Sequence, residues 1–409
     1  MTVFYLNALN LYPFHEISKD SLGILLTGVL SVITGYIFAS LVFIKSTVQS
    51  YERKVYQETQ LFNPNRLRTL TLLTLGFLAF GGYGSFRVIS ALAGGAKFYF
   101  INPFLVRELV VAIQMGEIGN VPVLYKISGF AISVGMLANI FGGALFSYQG
   151  RYKLIGFLPV ILTLIVSLVF IRRYSFVAGL TLWLSAYLFS AQILHAQSKE
   201  KLFRRIVLIS ASMVLVIYLV SYFVIHVRTF YHPKVTEYFY ESLYAYFVGG
   251  LSSLDIWLKD PNDLIHHSYG QTTFKDIFRW LSRFGIWPSE EVKTVHQDFV
   301  LISKHRMINT YTFVKAMYED FNIFGVLSLS FIWGFLSKAA VVKFFRRPDY
   351  IGLLLVSIVT FSLLMSFYSF YFRNLMGPLF WLICVGLIQK YVSGKDVDTS
   401  SNNDKPLPA

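Results

Sequence analysis

Nine separate runs of mostly apolar residues, each about twenty long and so able to carry a helix through a hydrocarbon layer, constrain this chain more than any motif in it. They lie near residues 22–44, 69–91, 123–147, 154–171, 174–195, 206–226, 312–337, 350–371 and 375–391. Composition agrees, because 55% of the 409 residues are hydrophobic and only 14% are charged, which excludes a water-soluble globular domain. The expected fold is an all-α polytopic integral membrane protein with about nine to eleven transmembrane helices and one long outer loop.

The formal charge of +14 would suggest a nucleic-acid partner in a soluble protein. Here it is spread over short loops, and topology rather than nucleic acid explains it. The loops holding Lys45 to Arg68, Arg151 and Lys153, Lys199 to Arg205, and Lys343 to Arg347 are basic, and all four fall on one side if the N-terminus is outside. That side is expected to be the cytoplasm, with the C-terminus inside. Met1 to Asp20 lacks the basic start and small-residue cleavage site of a removable leader, so the first run is expected to serve as the insertion signal. Four regions follow: membrane runs in 1–226, an outer loop with amphipathic helices in 227–308, membrane runs in 309–392, and a polar, disordered cytoplasmic tail in 393–409. The lone Cys384 excludes a disulfide within the chain.

Arg172 and Arg173 fall between the fourth and fifth runs, on the outer side, against the charge bias. Arginine near hydrocarbon needs a partner, which lipid phosphate or a substrate would supply. The outer loop carries acidic and basic residues in equal number, with His232, His266, His267, His296 and His305 and many aromatic residues. A stretch this long outside regular spans is usually functional, and such a mixture suits a carbohydrate and a phosphate better than an inorganic ion. Within it, EYFYESLYAYFVGGLSSLDIWL is apolar but interrupted by Glu241 and Asp255, so it is expected to be interfacial or re-entrant. Arg279 and Arg283 are four apart and share a face if their segment is helical. Arg306 precedes the return to the membrane, and Arg87 lies near the outer end of the second run. The glycines of GGYGSF, 81–86, fit close helix contact rather than a nucleotide loop. The adjacent His266 and His267 point apart, the DVD of 396–398 lies in the tail, and nothing in the pattern suggests a catalytic metal or a cofactor.

The segment INTYTFVKAMYEDFNIFGVL resembles the hallmark of the Wzy-type polymerases of O-antigen and capsule repeat units, an Asn-x-Tyr-Thr-like start followed by a Tyr-x-Asp-Phe-Gly core and a further Gly. Asn309, Tyr311, Thr312, Tyr318, Asp320, Phe321 and Gly325 match it. Glu319 and Asp320 together fill the acidic position, and Asn322 stands where glycine is expected. INPFLVRELVVAIQMGEIGN is similar to the family's arginine-containing segment before the third span, with Arg107 in the matching place. FIRRYSF is similar to its arginine turn.

The resemblance implies a GT-C-like glycosyltransferase working on undecaprenyl-diphosphate-linked oligosaccharides at the outer face of a bacterial cytoplasmic membrane. A sugar hydroxyl of one repeat unit would attack the anomeric carbon of the growing chain and displace undecaprenyl diphosphate. A flippase and a polysaccharide chain-length regulator would be its companions. Arg172, Arg173, Arg279, Arg283, Arg306 and Arg107, with Asn309, Tyr311 and Thr312, are the candidates for binding the diphosphate and substrate, since arginine's fork pairs with two phosphate oxygens. His296 and His305 are candidate general bases. Asp320, about two turns into the seventh run, is expected to meet an arginine or the substrate, with Glu319 as the alternative occupant of that role. The rivals are an O-antigen ligase, which shares the donor, and a lipid-linked oligosaccharide flippase or transporter, which would show broken helices and charges in several spans.

Overall fold

The computed structural model describes residues 17–43, 63–97, 102–115, 118, 121–148, 150, 152–170, 174–195, 199–228, 235–259, 270–288, 300–303, 306–308, 312–346, 348–366 and 376–400. Helices dominate them: α1 (Lys19–Val42), α2 (Pro64–Leu92), α3 (Pro103–Met115), α4 (Val123–Gly135), α5 (Leu137–Phe146), α6 (Tyr152–Val169), α7 (Tyr174–His195), α8 (Lys199–Arg228), α9 (Val235–Lys259), α10 (Lys275–Arg283), α11 (Phe313–Arg346), α12 (Tyr350–Leu364) and α13 (Met376–Ser400). One antiparallel hairpin, β1 (Val300–Ser303) with β2 (Arg306–Ile308), is a small departure from the all-helical expectation.

Six crossings are long and apolar enough to span a membrane: α1, α2, α4 with α5, α6, α7 and α11. The other three expected runs form shorter apolar helices, Leu215–His226 within α8, Tyr350–Leu364 and Gly377–Lys390 within α13. The helix α12 stops well before the expected 371, and the carbonyl of Ser366 just beyond it accepts from the Phe313 amide at 3.1 Å. At the other extreme α13 continues to Ser400, past the expected start of the tail at 393. Gly394 costs a helix only about 1 kcal/mol, too little to stop one already nucleated.

Small residues set the closest packing. The buried face of α1 is Ser21, Gly28, Ser31, Gly35 and Ala39, while Leu30, Ile37 and Leu41 stay exposed. This inverts the pattern of a water-soluble helix, because lipid-facing bulk costs nothing and small residues let backbones approach. A Cβ on Gly35 would strike the Phe331 carbonyl, and one on Gly334 would strike that of Val32. The glycines of GGYGSF behave in the same way, with Gly81 and Gly84 against Ser128 and Ile132 of α4.

Contacts between helices fix their directions. Phe38 packs on Phe331 and Phe335, Lys338 lies over the Tyr36 ring and Arg346 over the Phe43 ring, so α1 and α11 run parallel. Phe189 of α7 meets Phe344 and Phe345, Tyr152 Oη donates to Asn65 Oδ1 at 3.0 Å, and Gln389 donates to Asp349 at 3.1 Å. One end of the bundle therefore gathers the helix termini that flank all four basic loops. The opposite end, the cap end, brings together Ile89, Val106, Phe170 and Val224 from α2, α3, α6 and α8. From there α9 leads away: its Phe239 packs on Tyr218 and Tyr222 of α8, and its Asp255 reaches the start of α1. Both ends of α9 thus sit at the cap end, which lays it across the bundle.

Candidate functional site

The assigned helix α11 is two helices in one. Phe313 and Trp333 have ring centroids 5.3 Å apart, and Ser330 Oγ lies 3.4 Å from Met317 Sδ. In a straight helix twenty residues would separate the first pair by about 30 Å. The reversal occurs at Asn322, whose φ of 56° and ψ of −155° break the helix. Gly325 makes the tight turn feasible, since a Cβ there would strike the Met317 carbonyl. Residues 313–321 therefore form a returning segment that packs against 325–333, α9 and Gly28 of α1, with Phe321 and Phe324 exposed at its tip.

Charged side chains collect around this segment. Asp320 is 3% exposed, and its two oxygens accept from the amides of Thr272 at 3.2 Å and Thr273 at 2.6 Å. The Thr273 hydroxyl donates to the Ala316 carbonyl at 3.0 Å, so the loop ahead of α10 is pinned to the returning segment twice. Lys315 is 8% exposed, with Nζ 3.6 Å from Glu319 Oε2 and 5.0 Å from the centre of the Trp257 ring. Tyr318 meets the same Trp257 edge to face. Nearby Asp255, fully buried, accepts from the Ser18 amide at 2.9 Å, the Ser21 hydroxyl at 2.6 Å and the Ser18 hydroxyl, and pairs with Lys259 at 2.7 Å. Burial pushes its carboxyl up, but Lys259 and the two serines outweigh it and hold the group below the usual carboxylate range.

The sequence candidates divide accordingly. Asp320 accepts from two backbone amides, and the reversal at Asn322 places it near the tip of a hairpin. Glu319 takes the cationic neighbour, in Lys315. Thr312 is buried at the base of the returning segment, and its hydroxyl has no hydrogen-bond partner among the described residues. Arg279 is exposed on α10, Arg283 closes that helix four positions on, and Arg306 pairs with Ser303 across the hairpin. Arg107 is half-buried in α3, beside α2 and α8, and Arg87 is exposed. Arg172, Arg173, His296, His305, Asn309 and Tyr311 lie outside the described residues.

Sequence reasoning passed over Lys315, Trp257 and the Asp255 cluster. The available signal was a lysine inside an apolar run, at i, i+4 from a glutamate. Among the described residues no three His, Cys, Asp or Glu side chains group as metal ligands. Comparisons of the chain with known families, with curated proteins and with solved structures found no match.

Proposed function

We propose that this chain is a GT-C-like membrane glycosyltransferase that polymerises undecaprenyl-diphosphate-linked oligosaccharides, working at the cap end on the outer face of a bacterial cytoplasmic membrane. The observation that carries this is Asn322. Its backbone occupies a region that only glycine enters without strain, and it stands where the resembled motif has glycine. Asparagine tolerates positive φ better than most residues, so the departure from the motif keeps the geometry at some cost. Support also comes from the charge layout, because all four basic loops attach to the end opposite the cap, as a cytoplasmic face requires.

The chemistry follows from what sits there. A diphosphate leaving group at the membrane surface needs cations, and Arg279 is exposed on α10, next to the loop pinned to the returning segment. The acceptor hydroxyl needs a base, and Asp320 and Glu319 on the returning segment are the carboxylates nearest the resembled motif's acidic position. Deleting the gene in its host and running surface glycans on a gel is the test. A ladder that collapses to a single repeat unit, restored by a plasmid copy, supports polymerisation. Full-length polymer held on undecaprenyl diphosphate would replace it with the ligase reading, and an unchanged glycan profile would remove both.

A further inference from the structure

The helix α10 turns outward the residues that a helix bathed in water would bury. Ile277, Trp280 and Phe284 follow at spacings of three and four, so they share one arc, and all three are exposed, Phe284 to 61%. Trp280 and Phe284 meet edge to face with ring centroids 4.5 Å apart, and Ile286 just beyond the helix is exposed as well. The adjoining arc is covered. A Cβ on Gly270 would meet the Phe321 ring at 3.2 Å, with Phe274 and Phe278 next to it, so these rings close on the tip of the returning segment. Lys275 and Arg279 stand on the opposite arc, Arg279 exposed. An apolar arc thus packs on the tip along one edge and faces outward along the other, beside basic residues. Such patches mark contacts with membranes or with other proteins, and depth decides between the two.

Depth can be read along α1. Its 24 residues rise about 36 Å, a little more than a hydrocarbon layer of about 30 Å. Gly28, nine positions from its start, faces Val326 of the parallel α11, so by helical rise Asn322 lies about 8 Å below the first residue of α1. The Thr272 and Thr273 amides bonded to Asp320 are at the same tip, which puts the start of α10 near the boundary of headgroups and acyl chains. Amphipathic helices in that zone lie in its plane with the apolar face inserted, and tryptophan is enriched there. The outward side of α11 leads to the same place, since Phe324, Leu327, Ile332 and Leu336 stay exposed below the tip. Phe321, itself exposed, joins that apolar surface to α10 through Gly270.

We propose that α10 lies in the plane of the cap-end leaflet, with Ile277, Trp280 and Phe284 among the acyl chains and Arg279 at the level of the lipid phosphates. Lipid, rather than another protein or a second copy of the chain, occupies this face. Burial of its apolar side chains in the leaflet holds α10 in place, and with it the loop pinned to Asp320, so the bilayer itself braces the returning segment from outside. This placement is independent of the reaction that the cap end performs.

The test uses the full-length chain in nanodiscs of phosphatidylcholine and phosphatidylglycerol. Cys384→Ala removes the single native thiol, so that one introduced cysteine at a time carries a nitroxide label. Collisions with oxygen, which concentrates among acyl chains, are compared with collisions with a water-soluble nickel chelate. Labels at Trp280→Cys and Phe284→Cys should give an oxygen-to-nickel ratio close to that of Leu336→Cys on α11 and several-fold above that of Lys153→Cys at the basic end. Arg279→Cys should fall between those references. Ile286→Cys is a further exposed position should either aromatic variant fail to accumulate. Ratios at 280, 284 and 286 equal to that at 153 would put the face in water and overturn the proposal. Labels that neither reagent reaches overturn it too, because protein would then cover the face.

Discussion

The two ends of the bundle solve the problem of polar groups in opposite ways. At the basic end the buried charge serves a helix terminus: Asp349 caps α12 through the Gly352 amide at 2.6 Å, Gln389 bonds it from α13, and Lys343 stays exposed. At the cap end Asp255, Lys315 and Asp320 are buried, and each is met by groups from a different part of the chain or by a close ionic neighbour. The first arrangement is what helix termini need and no more. The second concentrates desolvated charge around the returning segment and its strained asparagine, and such concentrations mark candidate sites.

The largest way to break this contrast is to remove the packing common to both ends. Gly35→Leu or Gly334→Leu drives a side chain into a backbone carbonyl of the partner helix, so neither variant should accumulate in membranes, as immunoblotting would show. Next comes Asp320→Ala, which orphans two buried amides. A loss of about 2–4 kcal/mol is expected, with early protease cleavage in 270–288 while the basic end stays resistant.

Asp255 gives a pH signature. Its folded carboxyl is depressed, so its contribution is complete above the ordinary aspartate range near pH 4 and declines as pH falls below it. The difference in thermal stability between the parent and Asp255→Asn should be constant from about pH 8 to 5 and shrink below about 4. The smallest effect is a gain. Asn322→Gly relieves the strained turn and should raise stability by about 1 kcal/mol with the ladder intact, while Asn322→Val should lose both.

The spans were legible because each is a long apolar run, and their alternation was legible because lysine and arginine cluster in every second loop. The glycines near 81–86 showed their packing role through spacing alone. What could not be read was the reversal inside α11. Residues 312–337 read as one mostly apolar run, and asparagine is too weak a breaker to announce a turn that tertiary contacts from Gly28, Trp333 and Ser366 impose. The surroundings of Asp320 were hidden with the turn, because only the hairpin brings that carboxylate to the amides of Thr272 and Thr273. Lys315 was hidden for the same reason, since only the fold-back sets it against Trp257.

The most direct test of the contrast is a paired complementation of the deletion strain. One plasmid carries Lys315→Met and Glu319→Gln at the cap end, and the other carries Lys153→Met and Lys343→Met at the basic end, both matched for membrane abundance. The cap-end pair should leave single repeat units, and the basic-end pair should restore the full ladder. A full ladder from the cap-end pair, or its loss only from the basic-end pair, would contradict the placement of the chemistry.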